Sequence, residues 1–89
     1  MRAIVTVVGK DRVGIIADIC TLLSSYNINI LDISQTVMSD FFTMSMLVDA
    51  SKANDAFDKI CDMFSKKGVE MGLSIRVQRE DIFEAMHKI

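Results

Sequence analysis

The strongest constraint on this chain is a change of apolar period near its start. Ile4-Val5-Thr6-Val7-Val8 is a β-branched run with strand character, and from about Gly14 the apolar residues recur at helical spacing. Between them lies Gly9-Lys10-Asp11-Arg12-Val13-Gly14, a short turn with two glycines and three charges. Glycine permits positive φ and lets a ligand approach the backbone. A helix starting there points unpaired N–H groups and partial positive charge back into the turn, an arrangement suited to an anion such as a carboxylate. The plainer reading is a tight strand-to-helix connection with ordinary surface charges. Spacing alone favours the plainer one.

The rest of the chain continues the alternation of periods. Residues 2–8 form the first strand, with Ala3, Val5 and Val7 on one face and Ile4, Thr6 and Val8 on the other. Both faces are apolar enough for a central strand. The first helix covers about 14–26, and its apolar arc, from Ile15 and Ile16 through Ile19, Cys20 and Leu23 to Tyr26, is wider than one sheet contact needs. Asn27 suits a left-handed cap. The second strand, about 28–38, has broken alternation at Ile30-Leu31-Asp32, which predicts a bulge. Ser39-Asp40 reads as a hairpin turn. Residues 41–50 then alternate, with Phe42, Met44, Met46 and Val48 on one face. A second helix is expected from Ser51, as its cap, to about Lys67, with Gly68 at its C-terminal stop. Val69, Met71, Leu73, Ile75 and Val77 predict the buried face of a last strand. Glu80 and Asp81 open a short terminal helix over about 80–88, with Ile82, Phe83, Met86 and Ile89 on one side.

The order β-α-β-β-α-β is the split βαβ, ferredoxin-like plan. The expected fold is α+β, a βαββαβ sandwich with two helices on one face of a four-stranded antiparallel sheet of order 4-1-3-2, plus the terminal helix. The chain of 89 residues reads as one domain, 1–89, with a core of about 2–79. Such a small domain is marginal alone, yet 51% of its residues are hydrophobic. That excess points to a further buried surface, namely a homodimer or higher homo-oligomer.

Several chemistries find no support. Net charge is −2 with interspersed signs, unlike the basic footprint of a nucleic-acid binder. The Gly9-xxxx-Gly14 spacing imitates the start of a P-loop, but Ile15-Ile16 stands where Lys-Ser/Thr is required. Aromatic stacking positions of an RNA-binding sheet are missing, and Phe41 alone does not replace them. Cys20 and Cys61 fall on apolar helix sides, as free thiols rather than a disulfide or metal pair. His87, the single histidine, is expected in solvent on the terminal helix, and no nucleophilic triad or acid–base cluster is readable. No metal, cofactor or catalytic residue is therefore expected. No apolar run approaches the ~20 residues of a membrane span, and the N-terminus has no leader pattern, so the expected location is the cytoplasm.

Two segments, Val7-Val8-Gly9-Lys10-Asp11-Arg12-Val13-Gly14-Ile15-Ile16-Ala17 and Tyr26-Asn27-Ile28-Asn29-Ile30-Leu31-Asp32-Ile33-Ser34-Gln35, together resemble an ACT domain. The likeness spans nearly the whole chain and is nearest to small stand-alone ACT proteins of bacteria and archaea. It implies side-by-side dimers that bind an amino acid or similar effector between the first strand-to-helix turn of one subunit and the second strand of its neighbour. Carried onto this sequence, the implied ligand-binding positions are Gly9, Asp11, Arg12 and Gly14 in the turn and Asn29 in the strand. Backbone N–H groups around Val13 to Ile15 suit an α-carboxylate. Asn29 suits either end of the amino acid, Asp11 its ammonium, and Arg12 a second carboxylate. Serine-binding ACT domains carry a histidine in the turn, and this turn has none, so the ligand's identity stays open. The rival to a ligand-binding module is a protein-interaction regulator resembling those of the glycine-cleavage system, acting through a protein partner. An enzyme is the least supported reading, and fold alone does not decide among them.

Overall fold

The computed structural model describes residues 1–82. Its elements are β1 (Arg2–Lys10), α1 (Ile15–Ser25), β2 (Asn29–Met38), β3 (Phe41–Asp49), α2 (Phe57–Met71) and β4 (Leu73–Arg79). The strands form one antiparallel sheet of order β2-β3-β1-β4, which is the 4-1-3-2 order expected from the sequence. Residues 80–82 begin a helical turn, anchored by an Arg2–Glu80 ion pair at 2.9 Å. The remainder of the expected terminal helix, with Phe83, Met86, His87 and Ile89, lies outside the described residues.

Cross-strand register explains the layers. Val5 stands between Met46 and Val77, and Val7 between Met44 and Ile75. These side chains share the sheet face that meets Ile15, Ile19 and Leu23 of α1 and Ile60 and Phe64 of α2. Spacing of three to four residues puts each helical set on one stripe. Tyr26 meets Phe64 edge-to-face with ring centroids 5.6 Å apart, joining the end of α1 to α2. Asn27 takes φ 58°, the left-handed stop expected after α1. The register of β2 against β3 shifts between Ile30 and Asp32, leaving Leu31 as the bulge residue. Ser39, the first residue of the two-residue hairpin loop, also has positive φ.

The second helix differs from expectation at both ends. It starts at Phe57 rather than near Ser51, with Ala56 at the N-cap. Residues 51–56 are instead tied to the end of α1: Asn27 Nδ2 donates to the Lys52 carbonyl at 2.8 Å, the Asn54 N–H to the Tyr26 carbonyl at 3.1 Å and Asn54 Nδ2 to the Ser25 carbonyl at 3.1 Å. Short polar side chains here bond the backbone in preference to helix. The helix runs on through Gly68 to Met71 and stops at Gly72, φ 73°. Val69 and Met71 are therefore helical, Val69 is exposed, and β4 begins only at Leu73. Lys66 and Lys67 form ion pairs within the helix, with Asp62 and Glu70, instead of flanking its end.

Gly68 sits mid-helix because β4 crosses it closely. A Cβ there would lie 2.9 Å from the Leu73 carbonyl oxygen and 3.0 Å from Ile75 Cγ1. Gly68→Ala improves intrinsic helix propensity by about 1 kcal/mol, but displacing backbone and a buried side chain costs about 1–3 kcal/mol. A net loss of stability is the expected result in a urea titration. A gain would show that β4 yields freely.

Both cysteines are free and half-buried. Cys61 Sγ lies 3.5 Å from the Val77 carbonyl oxygen. Burial first, and then the Asp58 carboxylate, push its thiol above the ordinary value. Iodoacetamide should therefore alkylate Cys61 more slowly than a solvated thiol at neutral pH, a rate readable by mass spectrometry.

Candidate functional site

The strand-to-helix turn is built by two conformational facts. β1 extends through Gly9 to Lys10, with Gly9 between Phe42 and Leu73 in the sheet. A Cβ on Gly9 would press on Leu73 Cδ2, so this glycine serves close approach within the sheet. Positive φ is instead supplied by Gly14, at 89°, which caps α1 and accepts the Asp18 N–H at 2.9 Å. The Asp11 N–H donates to the Asp40 carbonyl at 2.8 Å, fastening the turn to the β2–β3 hairpin. Arg12 Nη1 pairs with Asp18 Oδ2 at 3.2 Å and approaches the Val13 carbonyl at 3.4 Å.

These contacts leave a cleft of about 240 Å³ between the turn, the first residues of α1 and the later half of β2. Asp11, Arg12, Gly14 and Ile15 line it on one side; Gln35 and Val37 close it on the other. Two turn residues stand apart from it: Gly9 lies in the sheet, and Val13 is 98% exposed. Gln35 ends the second family-like segment but carried no assigned role, and Val37 had no motif to mark it; the register opposite Met44 and Phe42 brings both to the turn.

Asn29 lies elsewhere. It opens β2, opposite Asp49, and lines a separate cleft of about 520 Å³ with residues of α1 and of the loop before α2. From Asn29 to Val37 the strand advances roughly 25 Å at ~3.3 Å per residue. A small molecule in the turn of one subunit therefore cannot touch Asn29 of the same subunit. At that end, the Ser51 backbone N–H and then its side chain hold the Asp49 carboxyl below its usual value, with a smaller effect from the amino-terminal ammonium 3.7 Å away.

Gly14→Val is expected to cost about 1–3 kcal/mol of stability, because a β-branched residue is strained at positive φ. Nothing lies within 4 Å of the new Cβ, so backbone conformation rather than crowding carries the cost. This adds a folding penalty to the obstruction of ligand approach expected from the turn. Thermal melting of Gly14→Ala and Gly14→Val measures it, and unchanged melting would show that the turn relaxes to another conformation.

Around both clefts, no group of three or more His, Cys, Asp or Glu is placed to hold a metal among the described residues. No helix among them is long and apolar enough to cross a membrane.

Comparison with known proteins agrees with this architecture. A UPF0237 protein of Listeria innocua is 48% identical over 89 residues, covering 100% of both chains. A UPF0237 protein of the archaeon Methanopyrus kandleri is 49% identical over 99% of this chain and 98% of its own. Among solved structures, an ACT domain protein from Streptococcus pneumoniae superposes with TM-score 0.83 at 40% identity, covering 98% of each chain. A formyltetrahydrofolate deformylase from Pseudomonas syringae matches over 88% of this chain but only 27% of its own, with TM-score 0.78 and 26% identity. The family model for the ACT domain matches residues 2–78. With the turn, the bulged second strand and the sheet order all in place, this chain belongs to the ACT domain family.

Proposed function

We propose that this chain is a non-catalytic regulatory module that binds a small amino-acid-like ligand at a homodimer interface. The observation that carries the reading is the placement of the turn cleft and Asn29 at opposite ends of one bare edge strand. β2 spans ten residues with Asp32 as its one charged residue. Ile33 and Val37 face the helix side of the sheet but stay 40% and 53% exposed, and Ile16 of α1 is half-exposed beside them. The other edge, β4, is shorter and carries Arg76 and Arg79, the kind of edge that resists pairing.

Antiparallel pairing of β2 with its two-fold mate covers these residues. It also brings the start of one β2 beside the end of the other. The partner subunit's Asn29 then completes the turn cleft, which at 240 Å³ falls below the ~300–1,000 Å³ usual for ligand sites. Asp11 receives the ammonium, the backbone of Gly14 and Ile15 faces the carboxylate, and Asn29 closes the site from the second subunit. Because half a site binds poorly, ligand and dimer stabilise each other.

The test is a melting scan with each common amino acid at several protein concentrations. Ligand at ~100 times its Kd adds ~2.7 kcal/mol per site. At about 4–8 °C per kcal/mol for a domain of this size, Tm should rise by roughly 10 °C or more. Asp11→Ala and Asn29→Ala should each reduce that rise while leaving the fold intact. If no amino acid shifts Tm, the effector reading falls and a protein partner becomes the leading function.

A further inference from the structure

The larger cleft, of about 520 Å³, lies where the C-terminal half of α1, the start of β2 and the β3–α2 loop meet. Its volume falls inside the range usual for ligand sites. Ile28 and Ile30 are its apolar lining residues, and Ser24, Asn29 and Lys52, which carry a hydroxyl, a carboxamide and an ammonium, line it as well. The loop bearing Lys52 is held by the Asn27 and Asn54 hydrogen bonds to the end of α1. A pre-ordered loop loses less entropy when it grips a ligand.

Charge decides what the cleft accepts. The acid lining it is Asp49, whose Oδ1 already takes the Ser51 N–H at 2.9 Å and faces the amino-terminal ammonium at 3.7 Å. Lys52 makes no ion pair among the described residues. Among the described residues of one subunit the cleft thus holds one unpaired cation, one unpaired carboxamide and an aliphatic wall. Asn27, the other amide there, has its Nδ2 on the Lys52 carbonyl.

We infer that this cleft binds a small aliphatic carboxylate, with Lys52 Nζ holding the carboxylate, Asn29 and Ser24 donating to it, and Ile28 and Ile30 covering the hydrocarbon body. The inference rests on the reading of the chain as a small-ligand module. It adds the class of ligand and a cationic anchor that lies outside the turn motif. Asn29 is shared, so a branched-chain amino acid or its deaminated acid fits the chemistry, whereas a cationic amine does not.

The experiment is a 15N-labelled NMR titration of the full chain with isobutyrate, L-valine and isobutylamine. Isobutyrate and L-valine should shift the amides of Ser24, Asn29 and Lys52, and isobutylamine should leave them unmoved. Lys52→Gln should weaken isobutyrate binding by about tenfold or more, the scale of one charge-assisted hydrogen bond, with Tm unchanged. Lys52→Arg should retain it. Shifts confined to residues 11–17 would overturn this inference while sparing the proposed function. Isobutylamine binding as well as isobutyrate, equal affinity in Lys52→Gln, or no shift with either carboxylate would each overturn it too. In that last case the proposed function is still judged separately, by the melting scan over all amino acids.

Discussion

Phe64→Ala should lower stability by about 3–5 kcal/mol, the usual cost of emptying a buried aromatic site. Phe64 is 1% exposed, packs within the main core, and holds the edge-to-face contact with Tyr26. Its removal leaves a cavity beneath α2 and deprives the end of α1 of its aromatic partner. A domain of this size has about 5–15 kcal/mol in total, with the low end expected for so short a chain. The fall in Tm should be roughly 15 °C or more. Melting followed by circular dichroism, at matched protein concentration, measures it. A loss below about 1 kcal/mol would mean that the neighbouring side chains collapse into the space, and the cluster would then be far softer than its burial implies.

The second large effect concerns assembly. Ile33→Asp combined with Val37→Asp should turn the proposed dimer into a monomer. In a two-fold interface every substitution appears twice, so four carboxylates would enter a desolvated seam, each at a cost of several kcal/mol unless paired. A weakening of about a thousandfold or more in the dimer constant, near 4 kcal/mol, is the expected minimum. Both positions are substantially exposed within one subunit, so the monomer should keep its circular dichroism spectrum. Sedimentation velocity reads the assembly, and the ligand-dependent rise in Tm should vanish with it. A double variant that stays dimeric would move the interface away from β2. The sheet face away from the helices, which bears Ile4, Leu47 and Phe41, would then be the surface to examine.

Asp49 carries a smaller, pH-dependent contribution. Its carboxyl is held below the ordinary aspartate value by the Ser51 backbone N–H and then the Ser51 side chain. A depressed folded-state value means that the contribution is present above the unfolded value and is lost as pH falls through the folded one. Asp49→Asn should therefore lower Tm slightly at neutral pH and converge on the parent as pH falls through the folded-state value. A difference that persists at low pH would assign the effect to lost hydrogen-bond geometry rather than to charge.

The element order and the sheet were legible because burial leaves a period in the sequence. Phe42, Met44, Met46 and Val48 alternate because one face of β3 meets the helices. Ala3, Val5 and Val7 do the same for β1, while Ile4 and Val8 on its other face marked a strand with neighbours on both sides. The break at Ile30-Leu31-Asp32 marked the bulge, and Asn27 marked the end of α1. Each of these signals is local, so a single window of sequence contains it.

The tertiary structure alone decided the remainder. Gly68 looks like a helix stop, but β4 passes so close that α2 needs a residue without Cβ in mid-course. Residues 51–56 look helical, but Asn27 and Asn54 bind that loop to the end of α1. Gly9 looks like part of the turn, but it is spaced against Leu73. In every case the deciding partner is remote along the chain. Apolar period reports which side of an element is buried, whereas close approach and loop hydrogen bonds depend on what the completed fold places opposite.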